Sequence, residues 1–107
     1  MAGAFEHSSF LENLGSTFRL RLEGSEALEL ELVEVSELQT TSVQGMFSIV
    51  FRCRSNSVLP QRIYRIEHDK MGQLDLFMVP IRQDQQGVYY EAVFNWLFNG
   101  SDSATAS

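Results

Sequence analysis

The chain has 107 residues, of which 44% are hydrophobic, 11% aromatic and 21% charged, an ordinary globular balance with room for one domain. Eight Lys and Arg against fourteen Asp and Glu give a net charge of −6, which argues against phosphate-driven nucleic-acid binding and against an anionic membrane surface. A single cysteine excludes an internal disulfide and favours a reducing compartment. With no basic start or apolar stretch in residues 1–10, and no apolar run of the ~20 residues a membrane helix needs, the expected location is the cytoplasm.

The first element in chain order is a short helix. Ser9 followed by Glu12 fits a capping box, Phe10, Leu11 and Leu14 are apolar, and Gly15 supplies a stop, predicting one or two turns over Ser9–Leu14. So short a helix has to pack on a sheet, here through Phe5, Phe10 and Leu14, plugging an open end. From Thr17 onward alternation dominates, which is a strand signal.

The first hairpin is expected to set Leu22 opposite Leu28, Leu20 opposite Leu30 and Phe18 opposite Leu32. The same register puts Arg21 against Glu29 and Arg19 against Glu31 on the other face, with residues 23–27 as the loop. Val33 and Val35 then change the apolar phase, which predicts a bulge. Residues 39–45 read as a loop. The third strand, Phe47–Arg54, turns Phe47, Ile49, Phe51 and Cys53 inward, and residues 55–61 form the next loop.

The second hairpin sets Ile66 against Leu74, Tyr64 against Leu76 and Arg65 against Asp75 around a turn at Asp69–Gly72. The fifth strand is expected to switch phase from Leu74 and Leu76 to Phe77, Val79 and Ile81, with Pro80 at a solvent-facing amide or a bulge. The last hairpin turns at Asp84–Gly87 and sets Ile81 against Tyr90, Val79 against Ala92 and Phe77 against Phe94. Trp96 shares the inward phase of Phe94, which makes it the expected last core residue. These elements predict a mainly β fold, a six-stranded antiparallel small barrel or sandwich with a short N-terminal helix. The domain spans residues 5–98, and the small polar residues 99–107 form a disordered tail.

Candidate chemistry is sparse. Alternation puts His68 on the face opposite Glu67 and Asp69, so the three cannot act as a local acid–base relay. His7 is far away in sequence, and two isolated histidines with one cysteine lack metal-ligand spacing. Cys53 shares the inward phase of Phe51, whereas Arg52 and Arg54 point away, so it reads as a small core residue rather than a reactive thiol. Arg19, Arg21 and Arg65 have cross-strand carboxylates in the registers above, and the scattered glycines form no phosphate loop. The sequon at Asn99–Ser101 is read as chance. Val93, Phe94, Trp96, Leu97 and Phe98 leave apolar groups on both faces of the last strand. Val93, Leu97 and Phe98 are the candidate protein interface.

The segments Leu59–His68, Gly72–Pro80 and Tyr90–Asn95, with Leu14–Leu20, resemble a bacterial family of small single domains catalogued as a domain of unknown function, number 6916. The resemblance covers Phe10 to Asn95 and leaves the extension from Trp96 outside the pattern. It implies no activity, cofactor or catalytic residue, and it carries an association with genes for phage-tail-collar-type fibre proteins.

The reading is therefore a non-catalytic protein-binding module, an accessory or assembly factor for a tail-fibre-like bacterial protein. It has no catalytic, cofactor-binding or metal-binding residue, and its partner is another protein rather than nucleic acid or membrane. One alternative is a small-ligand-binding barrel or enzyme with Tyr64, Tyr89, Tyr90 and His68 as polar handles; the other is a self-assembling structural subunit, a homo-oligomer.

Overall fold

The computed structural model describes residues 7–22, 27–55 and 57–97. Within them a helix α1 (His7–Glu12) precedes seven strands: β1 (Thr17–Arg21), β2 (Leu28–Val35), β3 (Gln39–Thr40), β4 (Gln44–Cys53), β5 (Arg62–His68), β6 (Gly72–Asp84) and β7 (Gly87–Leu97). All pairings are antiparallel, and the order β2-β1-β5-β6-β7-β4 closes through a further β2–β4 ladder into a six-stranded barrel. Two three-stranded meanders, β1-β2-β4 and β5-β6-β7, are thus formed, and residues 57–61 before β5 lie at one end of the barrel. The helix sits at the other.

Period-2 alternation builds the core. Phe18 and Leu20, Leu30 and Leu32, Phe47, Ile49 and Phe51, Ile66, Leu74, Leu76 and Met78, and Tyr90 all point inward and are buried. At the helix end, fully buried Phe10 lies 5.9 Å from the Phe47 ring and 5.2 Å from the Phe94 ring. His7 donates from Nε2 to Ser36 O at 2.8 Å and stands edge-on to Phe47. The turn after α1 ends at Gly15, whose φ of +88° suits a glycine, and the Gly15 N–H donates to Leu32 O at 2.8 Å. At the opposite end the Leu59 N–H donates to Tyr90 Oη at 2.9 Å, and Tyr64 donates from its hydroxyl to Pro60 O at 2.6 Å. Those two bonds tie Leu59 and Pro60 to the barrel mouth.

Several expectations are corrected. The helix starts at His7, so Ser9 lies inside it and no capping box forms; the Ser9 carbonyl instead accepts from Asn13 Nδ2 at 2.8 Å. Leu14 is exposed rather than packed on the sheet, and Phe5 lies outside the described residues. The first hairpin pairs Phe18 with Leu30, Arg19 with Glu29 and Leu20 with Leu28, two residues away from the expected register. A two-residue slip keeps every side chain on its face, so alternation alone cannot detect it. The 39–45 stretch is not wholly loop: Gln39 and Thr40 form β3 against Met46 and Gly45.

On β6 the inward phase runs unbroken through Leu74, Leu76 and Met78, and Phe77 faces out. The irregularity falls later, between Pro80 and Arg82, and β7 pairs Tyr90 with Pro80 and Glu91 with Val79 instead of the expected partners. Trp96 is not core: it is 38% exposed and lies over Gly45, where a Cβ would meet its ring at 2.5 Å. The bulge in β2 falls between Leu32 and Glu34, and the second hairpin pairs Ile66 with Leu74, Tyr64 with Leu76 and Arg65 with Asp75, both as the alternation predicts. Phe98 and residues 99–107 lie outside the described residues.

Candidate functional site

The buried titratable groups belong to the fabric of the barrel. His68 ends β5 with its ring inside, its centroid 4.2 Å from that of Phe18 and the two rings tilted by 36°. Its Nδ1 accepts from the main-chain N–H groups of Lys70 at 3.0 Å and Met71 at 3.2 Å, so the proton resides on Nε2, which donates to Ser16 Oγ at 2.9 Å. Ser16 in turn donates to Asn13 O at 2.5 Å. Burial holds the imidazole below its ordinary range, with nearby Asp69 partly opposing that shift. This neutral ring joins the end of the helical turn, the start of β1 and the β5–β6 turn.

Cys53 is buried, and burial pushes its thiol up, away from thiolate chemistry. Tyr64 and Tyr90 are likewise raised by burial. Tyr89 lies under the Arg82 guanidinium, 4.0 Å from ring centroid to Cζ, and His68 is at the far end of the barrel from Tyr64 and Tyr90. The four proposed polar handles do not converge. Among the described residues no group of three or more His, Cys, Asp and Glu side chains gathers to hold a metal ion, and no helix is long and apolar enough to cross a membrane.

Four arginines have carboxylate partners. Arg19 meets Asp69 at 3.0 Å, Arg21 meets Glu67 at 3.2 Å and Arg65 meets Asp75 at 3.5 Å, while Arg52 bonds Glu31 and also Gln86 at 2.9 Å. For Arg19 and Arg21 the partners come from the β5 side rather than from Glu31 and Glu29, because β1 lies between β2 and β5. The three exposed pairs add little stability each, whereas the Arg52 side chain is mostly buried. A groove of 440 Å³ on the β2–β4 face is lined by Glu29, Glu31, Arg52 and Arg54, and the Arg52–Glu31 pair already spans it.

The least satisfied surface is where β6 changes neighbours. β6 pairs with β5 from Gly72 to Met78, and with β7 only from Val79 to Asp84. On β7 the ladder with β6 ends at Glu91, although β7 continues along β4 to Leu97. A seam therefore opens between the first half of β6 and the second half of β7. It holds a hollow of 260 Å³ lined by Asp75, Leu76, Phe77, Ala92, Val93 and Phe94.

Main-chain groups of an antiparallel strand point alternately to its two neighbours. Gly87 closes a two-residue turn toward Asp84 on β6, so Glu91, Val93, Asn95 and Leu97 point their amides and carbonyls to the β6 side. Beyond Glu91 these groups face the seam. Around it four outward apolar side chains are exposed: Phe77 and its β5 partner Ile63 by 51% and 64%, and Val93 and Leu97 by 53% and 76%.

Of the residues singled out from the sequence, Val93 and Leu97 border this seam, and Phe98 lies outside the described residues. Phe77 and Ile63 were missed. Their signal was present in the double apolar register of β6, where 74, 76, 78 and 77, 79, 81 are both apolar; reading this as a phase switch hid an outward-facing row.

A family model described as "Domain of unknown function (DUF6916)" matches residues 5–94, a span that includes Phe77 and Val93 and stops before Leu97. No curated protein and no solved structure gives a match.

Proposed function

We propose that this chain, which belongs to the DUF6916 family of domains of unknown function, is a non-catalytic protein-binding module that docks its partner on the outer face around the β6–β7 seam. The observation that carries this reading is the contiguity of the exposed apolar side chains. Ile63 and Phe77 are register partners on adjacent strands, and Phe77 and Val93 line the same hollow. Single exposed apolar residues are ordinary, whereas a connected group beside an open strand edge is characteristic of a binding surface.

The partner class is carried by the resemblance drawn from the sequence, which implies an association with tail-collar-type fibre genes and hence an accessory or assembly role for a tail-fibre-like protein. The test is co-expression with a tail-fibre-like protein from the same genome, followed by affinity purification of the fibre. The module should co-purify near one-to-one, and Phe77→Ser with Val93→Ser should reduce its recovery at least tenfold while leaving the thermal melt nearly unchanged. Failure to co-purify, or recovery unaffected by the double substitution, would overturn the proposal.

A further inference from the structure

The seam differs from an ordinary apolar patch in presenting main chain. Val93, Asn95 and Leu97 direct hydrogen-bonding groups to a side where β6 does not pair with them, and such an edge is a template for another strand. We infer that the seam takes up an extended segment of the partner protein as an added strand on β7, a segment whose outward side chains alternate basic and apolar. This rests on the protein-binding reading above and specifies the chemistry of what binds.

The alternation comes from the charges and apolar groups along the seam. At its closed end stands Glu91, for which no ion pair occurs among the described residues. One step on, at the two-residue repeat of a strand, lie Phe77 and Val93. The next step brings Asp75 and Asn95, and the last brings Leu97. Among the described residues the ion pair of Asp75 is an exposed, 3.5 Å contact to Arg65, so it can also receive a second cation. Carboxylate, apolar, carboxylate, apolar is thus the order of the rim, on a chain whose net charge is −6. The complementary strand carries a cation, an apolar side chain, a cation and an apolar side chain on its outer face. Its intervening residues point into the hollow against Leu76, Ala92 and Phe94 and have to be small.

The probe is a fluorescently labelled nonapeptide with lysine and valine alternating at odd positions and alanine at every even one, titrated against the full chain by anisotropy. Asn95→Pro removes an N–H that faces the seam without touching the β4 ladder, and proline is tolerated on such an edge. Circular dichroism and a thermal melt establish that this variant is folded; Asn95→Ala is its side-chain control. The expected result is saturable binding by the wild type and by Asn95→Ala, weakened at least tenfold in Asn95→Pro. Exchanging every lysine of the peptide for glutamate should weaken binding at least tenfold as well.

Absence of wild-type binding, or equal binding by folded Asn95→Pro, overturns strand addition. A wild-type chain that sediments as a dimer, and as a monomer once Asn95→Pro is introduced, assigns the seam to a second copy and overturns it too. If Phe77→Ser with Val93→Ser abolishes fibre co-purification while Asn95→Pro leaves it intact, the docking face stands and only the strand-addition mode fails.

Discussion

Gly87 is the position where one added methyl group should be felt most. It closes the β6–β7 hairpin with a φ of +140°, and a Cβ built there would lie 2.2 Å from Cys53 O, 2.9 Å from Cys53 C and 3.1 Å from Arg54 Cα. All three are backbone atoms of the end of β4 and the residue after it, held by the β4–β7 and β2–β4 ladders, so they cannot swing aside as a side chain could. A φ of +140° lies outside the left-handed helical well and costs an alanine about 1–3 kcal/mol, and forcing extra volume into a packed site adds about 1–3 kcal/mol. Gly87→Ala should therefore lose about 2–6 kcal/mol, a large share of the stability of a small domain. For a domain near this size that is a fall in Tm of about 10–40 °C.

Gly72→Ala is the internal control. Its φ of +79° lies near the left-handed helical region and nothing lies within 4 Å of the added Cβ, so only a conformational cost of about 1–2 kcal/mol remains. Thermal and urea melts of the two variants measure the difference. Equal losses would refute the packing of the hairpin against the end of β4.

Met78→Ala should cost about 2–5 kcal/mol, because Met78 is fully buried, whereas Phe77→Ala should change stability by less than about 1 kcal/mol; urea melts that reversed this order would restore the phase switch in β6. His68 is neutral in the fold with its pKa lowered by burial, so the unfolded chain takes up its proton first as pH falls. Its contribution is complete above the unfolded value of about 6.5 and is lost as pH drops through the lower folded value. Urea melts between pH 7.5 and 5 should show that loss in the wild type and a shallower one in His68→Asn.

Much of the fold can be read from alternation, and its failures share one cause. The β5–β6 hairpin was legible because Ile66 with Leu74, Arg65 with Asp75 and the turn at Asp69–Gly72 all demand one register. In β1–β2 the faces were legible and the register was not: Arg19 and Arg21 find carboxylates on Asp69 and Glu67 across a strand remote in sequence, so Glu29 and Glu31 carried no information about pairing. Trp96 keeps the inward phase, but at the end of the barrel the interior no longer covers it and the ring lies over Gly45. The seam was the least legible feature. It depends on β6 exchanging β5 for β7 as its neighbour near Met78 and Val79, a non-local event that Pro80 marks only as an irregularity.

The open edge of β7 is the claim on which the functional account depends, and hydrogen exchange of individual β7 amides, followed by NMR on the isolated chain, tests it most directly. Ala92 and Phe94 turn their N–H groups to β4, opposite Ile49 and Phe47, and should exchange slowly. Val93 and Asn95 turn theirs to the seam and should exchange at least a hundredfold faster, in strict alternation. Uniform protection from Ala92 through Asn95 would mean that β6 pairs along the whole of β7, and that no free edge exists for a partner.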